Sequence, residues 1–523
     1  MSEICESPLK IRKGNQCSVQ DMSSWLIENN WKIVSDEFQL VEKFISSPAI
    51  LKPILQRKSQ IDIFFTYLPT ILWNLLVTIT NRNLAKRDPL DGRNKTTTLE
   101  EMFIWYSIQI MMENTYGNVF KDLPSHFAHI KKLIGGKIGI GSDRFRILTN
   151  SCCPTVDELI DIAQILNDTF RTQIVTLSVA VIDESIISYQ PSKLKKDKAE
   201  KSGNPIPIVF IPGKPHPNGL ECFVASSYIT DPNSDGHFPF IVSLVPHVRI
   251  GDFTNCEAAI QIIRSWNSMK IHWVVDAGYG SQEIIEIVEN QGSTITASFS
   301  ELQLADLWNS LEYALPPGCW RVAINKFGWM ASVHCGDADG KKRNFQKLIS
   351  TNWELSGLSE STNFPIEIGS NIVTEIADSA PMQINHENHL ETELIPCFTK
   401  IVLDGYKVSE LKLICRKWGI RSAARKESTI NNILARVAIV HKSFSVVERT
   451  TNILKSNWFS GPGPFHLFYK EHFKWVDQAN RSWYAVEEHH HHQDWRSKYF
   501  LILLRFALQN NIVHSKIILG ENL

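Results

Sequence analysis

The sequence predicts an α/β fold built on a mixed sheet. Three observations carry this reading. Four apolar, β-branched runs follow one another between residues 177 and 248. Strand and helix patterns then alternate up to residue 300. Helical periodicity dominates before residue 175 and again after residue 473. Successive strands followed by strand–helix alternation are the pattern of a mixed sheet with flanking helices.

The chain has 523 residues, too many for a single core, so several domains are expected. Hydrophobic residues make up 43% and charged residues 21%, an ordinary globular composition. The 15 tryptophans favour large cores or aromatic surfaces and identify no ligand. The net charge of −1 supplies no overall basic excess for nucleic acid and leaves only local clusters. "NRNLAKRDPLDGRNK" (81–95) and "SKLKKDKAEK" (192–201) each hold five basic residues, and each reads as a solvated loop unless a partner is found. None of the ten cysteines forms a Cys-x-x-Cys pair, so reduced intracellular thiols are expected rather than a zinc ribbon or a disulfide framework.

Residues 1–60 form a polar segment without the apolar core of a leader peptide. Residues 61–175 read as helical, a region that packs, positions or dimerises. Its most apolar stretch, "IDIFFTYLPTILWNLLVTIT" (61–80), carries Asp62, Pro69 and Asn74. It therefore reads as a buried helix pair broken at Pro69 and not as a membrane span. Thr98 and Glu101 form a capping box ahead of the next helix, and 155–174 is amphipathic. Strands are expected at "LSVAVID" (177–183), "IPIVFIP" (206–212), "LECFVASSYIT" (220–230) and "PFIVSLVPHV" (239–248). Then come a helix at 256–268, a strand in "IHWVVDAGYG" (271–280), a helix at 281–291 and a strand at 293–300. Residues 301–398 read as a β-rich insertion and linker. Residues 400–440 hold a compact basic helical pair, and 473–515 one or two long helices with an apolar stripe.

This order is the one expected of a ribonuclease-H-like core, with one acid on the first strand and another at the end of the fourth. Asp183, in "SVAVIDESI" (178–186), and Asp276, after "HWVV", occupy those slots. Two-metal phosphoryl chemistry needs about three carboxylates around ions roughly 3.5–4 Å apart. Mg²⁺ prefers oxygen ligands and keeps several waters, so a few Asp residues suffice. Asp477, in "KWVDQANR", is the third candidate. Each acid alone reads equally well as a solvated strand end or, for Asp477, a first-turn helix acid.

The motifs "IDESIISYQ" (182–190), "IPGKPHPNGLECF" (211–223), "VVDAGYGS" (274–281) and "VDQANRSWY…DWRSKYFLILLRFALQNNIVHS" (476–515) together resemble the piggyBac family of DDE transposases. "FFTYLPTILWNLLVTITNRN" (64–83) resembles the segment before that family's catalytic core. The resemblance implies cut-and-paste movement of a DNA element. It implies a catalytic core at 176–300 and 465–516, with a β-rich insertion before the last acid. Asp183, Asp276 and Asp477 would bind two Mg²⁺ ions, with Mn²⁺ as a substitute. DNA would be nicked, the freed 3′-OH would attack the opposite strand to give a hairpin end, and the target would be TTAA-like. The implied partners are duplex DNA, as element ends and target, and a second copy in a homodimer. The implied location is the nucleus.

Carried over by motif, Lys214 and His216 would lie near phosphates, although a plain Pro-rich turn needs no ligand. The 400–440 segment resembles a SAP-like DNA-binding helical module. Lys412, Arg416, Lys417, Arg421, Arg425 and Lys426 form its basic face, suited to phosphate contact more than base reading. A plain basic helical hairpin accounts for the same pattern. The run His489–His492 cannot share one metal if helical, because successive residues point in all directions. Three departures stand out: Asn480 occupies a position where some members carry a further Asp, the spacing from Asp276 to Asp477 (477 − 276 = 201 residues) is long, and no Cys-x-x-Cys of the cysteine-rich closing domain is found up to Leu523. The alternative function is a domesticated, inactive DNA-binding protein with the same fold.

Overall fold

The computed structural model describes residues 19–34, 39–43, 47–52, 59–87, 91–116, 123–133, 136, 139–203, 205–212, 217–230, 237–251, 253–299, 304–336, 345–356, isolated residues between 408 and 431, 458–487 and 494–519. The chain divides into two compact units. One comprises Met1–Val41, Leu304–Gln346 and Glu354–Gly463; the other comprises Glu42–Gln303, Lys347–Trp353 and Pro464–Leu523.

In chain order the first elements are α1 (Val19–Glu28), β1 (Trp31–Ile33), β2 (Gln39–Glu42) and β3 (Ile50–Leu51). A helical stretch follows: α2 (Gln60–Tyr67), α3 (Thr70–Leu84), α4 (Leu99–Tyr116), α5 (Leu123–Leu133), α6 (Ser142–Ser151) and α7 (Val156–Gln173). Local chemistry sets several of these boundaries. Ser59 and Asp62 form a capping box for α2, and Thr155 and Glu158 do so for α7. Pro69 separates α2 from α3, which are bent by 65°. No single helix among the described residues is long and apolar enough to cross a membrane. The apolar side chains of the bent pair are packed inside: Tyr67, Leu72, Trp73 and Leu76 are fully buried, and the Trp73 ring meets Phe103 edge-on at 4.7 Å.

The catalytic-core candidates follow: β4 (Ile174–Thr176), β5 (Val179–Ser188), α8 (Lys193–Lys201), β6 (Ile208–Phe210), β7 (Asn218–Thr230), β8 (His237–Pro246), α9 (Asn255–Ser265), β9 (His272–Val275), α10 (Gln282–Asn290) and β10 (Thr294–Ser298). β5 pairs antiparallel with β7 on one edge and parallel with β9 on the other. β10 runs parallel to β9, and β8 runs antiparallel to β7. Numbering β5, β7, β8, β9 and β10 as strands one to five, the order across the sheet is 3-2-1-4-5, with the second strand antiparallel to the first, fourth and fifth. That is the ribonuclease-H-like arrangement. α10 carries the parallel crossover from β9 to β10, and α9 returns the chain from β8 to β9.

The remaining elements are α11 (Ala305–Glu312), β11 (Cys319–Asn325), β12 (Met330–Cys335), β13 (Phe345–Ser350), β14 (Trp353–Ser356), β15 (Phe459–Ser460), α12 (Pro464–Glu487) and α13 (Trp495–Leu519). In the first unit, β11 pairs with β1, β12 and β15, and the Trp320 and Phe459 rings stack at 4.7 Å. The described residues of the 301–398 segment open with α11 and then carry β11 to β14. The apolar side of that helix (Leu307, Trp308, Leu311) is buried, and α1 packs against it.

Two sequence readings change. "LSVAVID" was expected to end at its acids, yet β5 runs on to Ser188, because Ile186 and Ile187 resume the apolar pattern and pair with Glu221 and Leu220. The basic run 193–201 is the helix α8 and not a loop; none of its residues is buried, so it is a solvated face.

Candidate active site

Asp183 lies in mid-strand on β5 and is only 2% exposed. A buried acid in an apolar strand is costly unless it is hydrogen-bonded or bears a function. Its Oδ1 accepts the Glu184 backbone N–H at 2.8 Å. The parallel register matches Val181 with Val274 and Ile182 with Val275. Asp183 and Asp276 are the next residues after those matched pairs, so they are neighbours across the β5–β9 join, and both charges act on the Tyr469 phenol. β9 stops at Val275, and Asp276 opens a turn in which its carbonyl accepts N–H bonds from Tyr279 and Gly280, both at 3.0 Å. Gly280 is required there. A Cβ on it would lie 2.2 Å from the Ser298 carbonyl oxygen of β10.

β9 is anchored by a buried imidazole. His272 Nδ1 and Nε2 lie 2.7 and 3.1 Å from the hydroxyls of Thr294 and Thr296 on β10. Burial pushes the His272 pKa down to about 3, with the nearby His472 adding to the shift. This ring is a neutral structural hydrogen-bonding group.

The helix α12 crosses β5, β7, β8 and β9. Tyr469 Oη donates to Asp276 Oδ1 at 3.1 Å. Burial first, then the charges of Asp276 and Asp183, raise the Tyr469 pKa, so the phenol stays a proton donor. Further along, Asn480 is fully buried, and its Oδ1 accepts the Ser185 hydroxyl at 2.9 Å. Ser185 lies two residues beyond Asp183 and so shares its face. α12 thus touches both acid-bearing chains, at Tyr469 and at Asn480. The stacking of Trp475 on Tyr228 at 4.8 Å fixes the helix against β7.

Asp477 lies between those two contacts along the helix axis. At about 100° per residue it sits roughly 80° round from Tyr469 and roughly 60° from Asn480. It is exposed on the shoulder of α12. The structure brings Asp183 and Asp276 together and leaves Asp477 at the flank. Among the described residues no group of three His, Cys, Asp or Glu side chains is assembled that could hold a metal ion.

The opposite face of β5 and β7 carries a second polar set. Tyr279 Oη donates to Glu184 Oε2 at 3.1 Å, and His247 Nδ1 lies 2.7 Å from Glu221 Oε2. Burial, followed by the charges of Glu184 and Asp183, raises the Tyr279 pKa well above the usual phenol range.

Lys214 and His216 lie outside the described residues, as do Arg416, Lys417, Arg421, Arg425 and His489–His492. Of the basic helical pair, Leu411 and Ile430 are fully buried, Lys412 is exposed and Lys426 is half-buried. Sequence reasoning missed Tyr469, Tyr279 and the Ser185–Asn480 pair. Tyr469 and Asp276 are 193 residues apart, so no local pattern joins them.

No family model matches the sequence, and no curated protein matches it significantly. Among solved structures, the chain is similar to a cryo-EM structure of a piggyBac transposase synaptic complex with hairpin DNA. That likeness has a TM-score of 0.46 and 10% identity, over 90% of this chain and 84% of the other. The strand order, and not this likeness, identifies the fold.

Proposed function

We propose that this chain is a piggyBac-type transposase, or a protein derived from one, that cuts and joins DNA by metal-assisted phosphoryl transfer. One observation supports it above the others: Asp183 and Asp276 follow matched residues on neighbouring parallel strands of a 3-2-1-4-5 sheet. The donor set fits Mg²⁺, which takes one or two carboxylates beside substrate phosphates and waters. In this reading Asp183 and Asp276 hold the metal, Asp477 is the third ligand of a two-ion site, and Mn²⁺ substitutes. Bound there, Mg²⁺ would polarise a phosphoryl oxygen and lower the pKa of an attacking water.

The chain's own residues supply the positioning. Tyr469 and the Ala277 N–H both donate to Asp276 Oδ1, which fixes the carboxylate plane. Asp276 Oδ2 accepts no hydrogen bond among the described residues and is the oxygen presented to a ligand. Burial of Asp183 limits its rotamers in the same way. The substrate in this reading is duplex DNA with hairpin ends as products and a TTAA-like target. A homodimer is the working unit and the nucleus its location.

A second reading is an inactive DNA-binding protein with the same fold. The exposed position of Asp477 and the missing three-acid group among the described residues favour it. End-labelled duplex DNA incubated with Mg²⁺ or Mn²⁺ separates the two. Metal-dependent nicking by the wild type, lost in Asp183→Asn and in Asp276→Asn, supports the enzyme. Binding without nicking, unchanged in both variants, supports the second reading.

A further inference from the structure

A cationic cleft lies away from the acids, within the same unit. Two adjoining hollows of about 280 and 410 Å³ share Arg87, Asn150 and Cys153 as lining. Arg82, Lys86 and Arg87 enter from the end of α3, Lys195 from α8 and Arg496 from the start of α13.

The carboxylates nearby are already committed. Glu158 takes both terminal nitrogens of Arg82, one of them at 2.9 Å, and Asp494 takes Arg496 at 2.8 Å. Among the described residues no carboxylate pairs with Lys86 or Arg87. Arg82 Nε is buried and meets no acceptor there either. Asp494 also lines the second hollow, its charge held by Arg496, and burial with the Asp494 charge raises the Cys153 pKa, so the thiol adds no further anion. The walls are firm. Asn83 donates to the Ser151 and Cys153 carbonyls at 3.0 and 2.8 Å, which ties α3 to the end of α6. The N-termini of α7 and α13 border the cleft through Thr155 and Arg496, and each contributes positive dipole.

We propose that this cleft binds backbone phosphates of the DNA on which the acid pair acts. The proposal rests on the DNA-processing reading above and deepens it. A short path links the two sites, since Ser497 lines the second hollow and is followed on α13 by Lys498. Lys498 on α13 donates to the Ser188 carbonyl at the end of β5, five residues past Asp183. At about 3.3 Å per residue that is roughly 17 Å along the strand. About five base-pair steps of duplex cover the same distance at roughly 3.4 Å each. The cleft therefore lies within reach of DNA held at Asp183 and Asp276.

The test is fluorescence anisotropy of a labelled 30-base-pair duplex across a KCl series, with the wild type, Lys86→Gln/Arg87→Gln and Asp183→Asn/Asp276→Asn. The Gln side chains keep length and remove charge, and both positions reach solvent, so the fold is preserved; circular dichroism melting checks this. Each lost phosphate contact lowers the slope of log affinity against log salt by about 0.9, so the cleft variant should lose about 1.8 and bind on the order of tenfold more weakly. The acid variant should keep the wild-type slope. An unchanged slope and affinity in the cleft variant overturns the cleft while DNA binding by the protein stands. A wild type that binds no DNA overturns both readings. A parallel titration with inorganic phosphate covers the other source of the same chemistry. Phosphate binding that requires Lys86 and Arg87, without any effect of these residues on DNA affinity, also overturns the DNA assignment.

Discussion

The Tyr469 hydroxyl donates a hydrogen bond to Asp276 Oδ1 at 3.1 Å, joining α12 to the turn that follows β9. The contact explains how a helix far along the chain orients an acid of the central sheet. Burial and the two carboxylate charges keep this phenol protonated, so the donor persists across the whole working pH range.

Tyr469→Phe keeps the ring and removes the donor. The expected result is a tenfold to hundredfold rise in the Mg²⁺ concentration that gives half-maximal nicking, the usual scale for an outer partner of a metal ligand. The melting temperature should change little. A purely structural tyrosine would instead lower the melting temperature and leave the metal requirement unchanged.

His272 makes the protein acid-sensitive. Its folded pKa is depressed from the usual 6.5 to about 3, so below about pH 6.5 the unfolded chain takes up a proton that the folded chain refuses. Its contribution is fully present above that pH and is lost as pH falls toward 3, at up to about 1.4 kcal/mol per pH unit. His272→Gln retains hydrogen-bonding capacity without titrating. Urea unfolding at pH 7.5 and pH 5.0 should show a smaller drop for the variant than for the wild type.

Ser185 and Asn480 form a buried polar pair across β5 and α12. Removing either partner leaves a buried polar group unmatched, at a cost of about 1–3 kcal/mol. Ser185→Ala and Asn480→Ala together should cost less than the two single losses added. A double-mutant cycle in urea giving a coupling near zero would remove this pair as the link between helix and strand.

Gly280→Ala should be disruptive. The added Cβ meets backbone, the Ser298 carbonyl at 2.2 Å, so no side chain can move aside. A loss of about 1–3 kcal/mol or more is expected, together with reduced nicking as the Asp276 turn shifts. Chemical denaturation and the nicking assay measure the two effects on one preparation.

Much of the architecture was written locally. Alternating apolar runs specified β7, β8 and β10, and helical periodicity specified α7, α9 and α10. Pro69 broke the apolar stretch at 61–80, and Thr98 accepts the Glu101 N–H at 3.2 Å, one half of the expected capping box, while the Glu101 carboxylate turns to Thr97 and Arg144. Strand order placed Asp183 beside Asp276, because β9 adds parallel to the free edge of β5 after the β5–β7–β8 meander. The polar interruption in β5 misled the boundary. Two acids look like a strand end until Ile186 and Ile187 are seen to pair onward with β7.

The sequence by itself therefore determined the central strands β5, β7, β8, β9 and β10, the helices α7, α9 and α10, and the two acids in matched slots, since propensity, capping and period act within a few residues. Only the tertiary structure decided that Tyr469 meets Asp276, that Asn480 turns inward while Asp477 stays on the exposed shoulder of α12, and that Arg87 and Arg496 line one cleft. Those relationships join residues hundreds of positions apart, and packing selects them through contacts that no local pattern encodes.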